Sequence, residues 1–131
     1  MAKSYNAPRV PQVDQVGVDE RARRFASRSI KTSAKELGLK MTVSMMDLTT
    51  LEGKDTKGKV HMLCQKARMP MMDGDCPPVA AVCVYPPFIS YAKKCLEGSG
   101  VQVAAVSTYF PSGHATLESR LEETRKAVSE G

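Results

Sequence analysis

Asp47 is a single carboxylate at the end of an apolar run, in the stretch MMDLTTLE of residues 45–52. Two threonines, Thr49 and Thr50, follow it closely. In a parallel α/β protein the carboxyl ends of the strands face the active site, so an acid placed there is positioned for chemistry rather than for packing. The alternative is that Asp47 only caps a strand or begins a turn, which is the commonest use of a lone aspartate.

Cysteine and histidine are the other residue types that could bind a metal ion. Cys64, Cys76, Cys83 and Cys95 are separated by 11, 6 and 11 residues, which is neither a C-x-x-C pair nor a zinc-ribbon spacing. His61 lies one helical turn before Cys64, but no second pair completes a site. We therefore expect no metal site and interpret the cysteines as reduced, mostly buried thiols.

Residues 53–59, GKDTKGK, satisfy the phosphate-loop pattern G-x-x-x-x-G-K. A loop of this kind needs Ser or Thr at the next position, because the hydroxyl supplies an oxygen ligand to Mg²⁺. The next residue is Val60, and the strand predicted after it ends in CVYP without an acid. A degenerate phosphate loop is thus an alternative that these residues support poorly.

Strand patterns alternate with helix patterns from residue 41 onward. Residues 79–85 and 101–106 are continuous apolar runs bounded by turn signals, which is typical of parallel strands covered on both faces. Residues 41–46 are predicted to be the first strand. Each strand is followed by a predicted helix, and three strand-helix units result.

The helix signals are local. Asp55 or Thr56 caps the first of these helices, Pro70 closes it, and its buried positions are Val60, Leu63, Cys64 and Ala67. Pro86 and Pro87 suit the start of the second helix. Thr116 opens the third, whose predicted buried stripe is Leu117, Leu121, Thr124 and Val128.

Residues 1–40 carry the whole net charge of +5, with nine Lys/Arg against four Asp/Glu. Residues 1–17 are predicted to be a flexible arm and residues 18–40 a capping helix that ends at Gly38. A solvated helix face explains the basic charge at least as well as a nucleic-acid site does. Because no aromatic residue except Phe25 interleaves with the arginines, nucleic acid is not an expected partner.

The remaining composition indicates one globular domain, since 131 residues with 42% apolar content can bury a modest core. No apolar run approaches the roughly 20 residues of a membrane span. The first 15 residues lack the apolar segment of a secretory signal. We therefore expect a cytoplasmic protein without membrane contact.

Four blocks in unbroken order resemble the 2-deoxyribose-5-phosphate aldolase family, and the resemblance covers residue 41 to the end. The blocks are MMDLTTLEGKDT (45–56), LCQKA (63–67), AAVCVYPPF (80–88) and VAAVSTYFPSG (103–113), and the closing LEETRKAVSEG (121–131) also fits. The resemblance implies a (β/α)8 TIM barrel, of which this chain would supply an N-terminal helix and the first three strand-helix units (41–131).

The resemblance also implies an activity. The family consists of class I aldolases, in which a lysine forms a Schiff base with acetaldehyde that then adds to glyceraldehyde 3-phosphate, with no cofactor. Asp47 matches an acid that supports the proton relay, Thr49 and Cys83 match substrate-pocket residues, and Phe110 matches a wall of the aldehyde pocket. For Cys83 a purely structural role as a small buried residue stays equally open.

The family pattern continues beyond what this chain contains. A barrel of this type needs about 250 residues, and the family places its Schiff-base lysine on a later strand, so no lysine of this chain matches it. We expect the isolated chain to be inactive and the full-length protein to be a homo-oligomer, such as a dimer, acting on a sugar phosphate and an aldehyde. The alternative is a small non-enzymatic α/β module whose basic helix binds a partner.

Overall fold

A computed structural model describes residues 11–72 and 74–131. In chain order, the elements are α1 (Gln15–Ala26), α2 (Thr32–Ser44), β1 (Asp47–Thr49), α3 (Lys57–Arg68), β2 (Ala81–Val84), a 3-10 turn (Pro86–Phe88), α4 (Ile89–Leu96), β3 (Gln102–Ala105) and α5 (Leu117–Glu130). The three strands form one parallel sheet in the order β1-β2-β3. The predicted class, an α/β chain of consecutive strand-helix units, is confirmed.

The sheet has two faces because side chains alternate along each strand. The outer face packs on α3 and α4, and it consists of Leu48, Val82, Val84, Val103 and Ala105. The helices contribute Val60, Cys64, Ala67, Ile89, Ala92 and Leu96 to the same core. Val82 is fully buried, which for one such side chain is worth about 1.5–3 kcal/mol. The opposite, inner face consists of Asp47, Thr49, Ala81, Cys83, Gln102 and Ala104.

The helix starts follow the predicted caps. The hydroxyl of Thr56 accepts a hydrogen bond from the Lys59 amide at 3.2 Å, and Thr116 accepts one from the Ser119 amide at the same distance. Both bonds satisfy an amide that the first turn leaves unpaired. Within the part of the chain that the structure describes, every helix is too short or too polar to cross a bilayer.

The prediction of a strand at residues 41–46 is wrong. Residues through Ser44 continue α2, and β1 begins at Asp47. Two hydroxyls in this segment bond back to the preceding helical turn: Thr42 donates to the Gly38 carbonyl and Ser44 donates to the Met41 carbonyl, both at 2.8 Å. A short apolar run fits a helix and a strand equally well, and here the helix places Val43 against the core.

The single capping helix predicted for residues 18–40 is instead two helices. α1 begins earlier, at Gln15, where the Asp14 side chain accepts a hydrogen bond from the Gly17 amide. It ends at Ala26, and the Ser27 hydroxyl then donates to the Arg24 carbonyl at 2.9 Å, a local bond that competes with a continued helix. Gly38 lies inside α2 rather than at its end. Residues 1–10 of the predicted arm lie outside the described residues.

The buried stripe predicted on α5 is also wrong in part. Leu117, Leu121 and Val128 are exposed, by 60%, 44% and 76% respectively, whereas Thr124 is half-buried and Ala127 packs against the core. α5 follows β3, an edge strand of the described sheet, and packs against α4, so only the side of α5 turned toward α4 has a surface to cover.

Candidate active site

The inner face of the sheet brings together three of the four predicted site residues. Thr49 and Cys83 are register partners on β1 and β2, and their side chains share a hydrogen bond. Asp47 precedes Thr49 by two residues, so its side chain lies on the same face, near enough for its charge to act on Cys83. We call Asp47, Thr49 and Cys83 the inner-face cluster. It offers a polar ligand a carboxylate, a hydroxyl and a thiol.

The pKa of the Cys83 thiol is raised. Burial is the largest cause, the hydrogen bond with Thr49 acts in the opposite direction, and the negative charge of Asp47 raises the pKa further. A thiol with a raised pKa stays protonated near neutral pH and is a poor nucleophile, since the thiolate is the reactive form. This environment fits a residue that lines a pocket.

The sequence led us to expect Asp47 at the carboxyl end of a strand, but it does not lie there. It is the first residue of β1, and the carbonyl of the preceding Met46 accepts hydrogen bonds from the amides of Ala80 and Ala81 at 3.0 and 3.4 Å. The carboxylate therefore lies on the inner face two residues nearer the amino ends of the strands than the pair Thr49 and Cys83. It remains exposed in this chain.

The loop between β1 and α3 contains a polar network around Asp55, whose side chain is only 1% exposed. Its carboxylate accepts hydrogen bonds from the Thr50 hydroxyl at 2.8 Å and the Glu52 amide at 3.0 Å, and it forms an ion pair with Lys59 at 2.9 Å. Lys59 also reaches the Glu52 carboxylate at 2.6 Å. The lysine of the GKDTKGK pattern is therefore engaged by two carboxylates, which counts against a phosphate loop.

The network shifts the pKa values of Asp55 and Lys59 in opposite directions. Burial acts to raise the pKa of Asp55, but the hydrogen bonds from Lys59, the Glu52 amide and Thr50 together lower it. The hydrogen bonds to Glu52 and Asp55 raise the pKa of Lys59. In α2, hydrogen bonds to Asp75 and Glu36 raise the pKa of Lys40 to about 12.

The fourth predicted site residue, Phe110, lies apart from the inner-face cluster. It lines an open cleft of about 990 Å³ beyond the carboxyl ends of β2 and β3, together with Tyr85, Tyr109 and Glu123. The lining of this cleft includes none of the inner-face cluster. The cleft therefore lies apart from the residues that could do chemistry, and we base the candidate site on the cluster. No pattern in the sequence marked Glu123 as a site residue.

A histidine contacts a cysteine, but the described residues form no group that could hold a metal ion. All four cysteines are free; Cys64 is buried and the others are half-buried. The Nδ1 atom of His61 lies 3.6 Å from the Sγ atom of Cys95 on α4. Among residues 11–72 and 74–131, no three His, Cys, Asp or Glu side chains are grouped so that they could hold a metal ion.

Comparison with known proteins gives one consistent result. The chain is 41% identical to the deoxyribose-phosphate aldolase of Mus musculus over 132 aligned residues and 38% and 37% identical to those of Homo sapiens and Bos taurus, in each case over 92% of this chain and 42% of the relative. The chain thus spans less than half the length of these relatives. No family model matches it.

A solved structure shows the same likeness in three dimensions. It is the crystal structure of a protein assigned as a deoxyribose-phosphate aldolase from Coccidioides immitis, with a TM-score of 0.60 and 26% identity. The match covers 70% of this chain and 33% of that protein. The predicted fold class, part of a TIM barrel, is thereby confirmed, as is the resemblance on which it rested.

Proposed function

We propose that this chain, a relative of the deoxyribose-phosphate aldolases by sequence and by fold, contributes part of the active site of a class I aldolase. The reaction is the reversible cleavage of 2-deoxy-D-ribose 5-phosphate to glyceraldehyde 3-phosphate and acetaldehyde through a lysine Schiff base. The inner-face cluster carries this proposal, because it sets an acid, a hydroxyl and a thiol together on the face of the sheet opposite the packed helices.

The proposed roles follow from the chemistry of each side chain. Asp47 supports the proton relay around the reactive amine, which a carboxylate on the exposed face of the sheet can do by accepting and returning a proton. Thr49 offers a hydroxyl to the substrate, and Cys83 lines the pocket as a neutral thiol. Phe110 forms a wall of the aldehyde pocket; its place in the neighbouring cleft leaves its aromatic ring half exposed and free to contact a ligand.

We further propose that none of the lysines in this chain forms the Schiff base. A nucleophilic lysine needs a lowered pKa, obtained by desolvation or by a neighbouring cation. The pKa values of Lys40 and Lys59 are shifted upward by carboxylates instead. Lys54 is 85% exposed, and Lys93 and Lys94 lie exposed on α4. The reactive lysine would then come from the part of the barrel that these 131 residues do not include.

The wider setting is proposed on the same basis. A full-length protein of this kind acts on a small sugar phosphate and an aldehyde in the degradation of deoxyribonucleotides and carbohydrates. We propose a cytoplasmic homo-oligomer, such as a dimer, that needs no cofactor and binds neither membranes nor nucleic acid.

The test compares the isolated chain with a completed barrel. Alone, the 131 residues should cleave no deoxyribose 5-phosphate above background, and borohydride with acetaldehyde should trap no lysine adduct detectable by peptide mass spectrometry. Adding a separately expressed chain that carries the remaining five strand-helix units of a family member should restore both, with the adduct on the added chain. A stoichiometric adduct on one lysine of the isolated chain would overturn the lysine assignment. A completed protein without aldolase activity would overturn the function.

A further inference from the structure

The loop after β3 holds two consecutive residues in the left-handed region of backbone conformation. Thr108 has φ 62° and Tyr109 has φ 59°. Neither is glycine, and a β-branched residue such as Thr108 is a rare occupant of this region. Such conformations persist only where the surrounding structure holds them, and they occur preferentially near functional sites.

The bond that holds this turn comes from α5. The Glu123 carboxylate accepts a hydrogen bond from the Tyr109 amide at 2.7 Å, and a bond to a charged acceptor is stronger than one to a neutral oxygen. A second contact joins the hydroxyls of Ser107 and Thr124 at 2.7 Å. Within the loop, the Gly113 amide donates to the Tyr109 carbonyl at 2.8 Å.

Phe110 follows this held pair directly, so the backbone at Tyr109 helps to set the position from which its ring projects. Both Glu123 and Phe110 line the cleft beyond the carboxyl ends of β2 and β3. The Glu123 side chain can therefore act on the Phe110 ring through the main chain of Tyr109.

We infer that Glu123 is a positioning residue that holds Phe110 against the aldehyde pocket and so determines the affinity for the aldehyde. This inference rests on the proposed function, in which Phe110 is a wall of that pocket. The helix itself has other supports, namely the Thr116 cap and the packing of Ala127. Loss of the Glu123 carboxylate should therefore release the loop and leave α5 in place.

The neighbouring Glu122 supplies a matched control. It is exposed, it carries the same charge on the same helix, and its side chain makes no hydrogen bond or ion pair with the described residues. Glu123→Gln supplies the conservative variant, because its amide oxygen can still accept the Tyr109 hydrogen bond. The protein to use is the full-length one that carries these residues.

In the synthetic direction, Glu123→Ala should raise the KM for acetaldehyde about tenfold, the scale of a lost hydrogen bond to a charged group. The value of kcat should stay within about twofold, because Asp47 and the reactive lysine are untouched. The KM of Glu123→Gln should stay within about threefold of that of the unchanged protein. The KM of Glu122→Ala should equal that of the unchanged protein. The inference would be overturned if Glu123→Ala had the same KM as Glu122→Ala. It would also be overturned if Glu123→Ala lowered both kcat and the melting temperature and left KM unchanged.

Amide hydrogen exchange tests the positioning without any activity. Exchange at Tyr109 should be at least about tenfold faster in Glu123→Ala than in Glu122→Ala, since its hydrogen bond is gone. If the unchanged protein has no aldolase activity, the proposed function fails while this measurement still decides whether Glu123 holds the loop. Unchanged exchange at Tyr109 would overturn the positioning role even in an active enzyme.

A double variant protects the test against misfolding of Glu123→Ala. Glycine adopts positive φ without steric cost, so Tyr109→Gly makes the turn less dependent on Glu123. On that background, Glu123→Ala should change KM by no more than about threefold, a clear departure from additivity. A penalty that remains about tenfold would show that Glu123 acts by some route other than this turn and would overturn the inference.

Discussion

The inner and outer faces of the three-stranded sheet are built from alternate residues of the same short strands, yet the polar side chains lie on the inner face alone. On β2, Val82 and Val84 are fully buried under α3 and α4. Cys83, between them, faces the other way and contacts Thr49. On β1, Leu48 packs against the core while Asp47 and Thr49 are exposed.

This contrast shows how a strand of three or four residues can serve packing and chemistry at once. The outer face gains stability from apolar burial, which needs no polar partner. The inner face carries polar groups, and the pKa of its Cys83 thiol depends on Thr49 and Asp47. Adjacent residues should therefore separate activity from stability, and substitutions on each face test whether they do.

The largest effect is expected at Asp47. In the full-length enzyme, Asp47→Asn keeps the size of the side chain and removes its charge, and loss of a positioned proton-transfer partner should lower the rate of aldol cleavage about a hundredfold or more. The melting temperature should change little, because the side chain is exposed. Steady-state kinetics and a thermal melt measure the two quantities. Near-normal cleavage would show that the inner face does not carry the chemistry assigned to it.

The opposite pattern is expected at Val82. Val82→Ala removes two methyl groups from a fully buried site and should lower the free energy of unfolding by about 2 kcal/mol through lost burial and a small cavity. The inner-face control Thr49→Val, of nearly equal size, should change it by less than about 1 kcal/mol. Urea unfolding gives both values, with kcat measured per folded molecule. Equal losses from the two variants would erase the distinction between the faces.

Features with local signals were predictable from the sequence. The apolar runs at residues 79–85 and 101–106 contain β2 and β3, as continuous apolar runs bounded by turn signals indicate. Thr56 and Thr116 cap their helices, as hydroxyls before an apolar periodic segment should. Asp47 and Thr49 are two residues apart, a spacing that already implies a shared face once the strand is known.

Features that depend on distant contacts were not predictable. Residues 41–46 were predicted wrongly because helix and strand patterns coincide over six residues; residues 41–44 belong to α2, and Asp47 begins β1. The turn at Thr108 and Tyr109 has no glycine to mark it and depends on a glutamate that lies fourteen positions away. For Asp55, the spacing of four to Lys59 was a usable signal, but its bond to Thr50 was not.

The smallest effect, and the sharpest test of the two faces, concerns two thiols on opposite sides of the sheet. Burial and the charge of Asp47 raise the pKa of Cys83 on the inner face, while burial and then the neighbouring Cys95 raise the pKa of Cys64 on the outer side to about 11. Removing a negative charge favours the thiolate, so Asp47→Asn should lower the pKa of Cys83, but not to its ordinary value, because burial is the larger cause. Thr49→Val removes the hydrogen bond that lowers the pKa of Cys83, so this variant should raise that pKa. The pH dependence of alkylation, followed for each cysteine by peptide mass spectrometry, measures the pKa of Cys83, whereas at the fully buried Cys64 alkylation reports only opening of the structure. Because Cys64 lies across the sheet from Asp47, its alkylation should be as slow in Asp47→Asn as in the unchanged protein. Faster alkylation at both thiols would mean that the substitution loosens the whole sheet, and no pKa shift at Cys83 would mean that Asp47 does not share its surroundings.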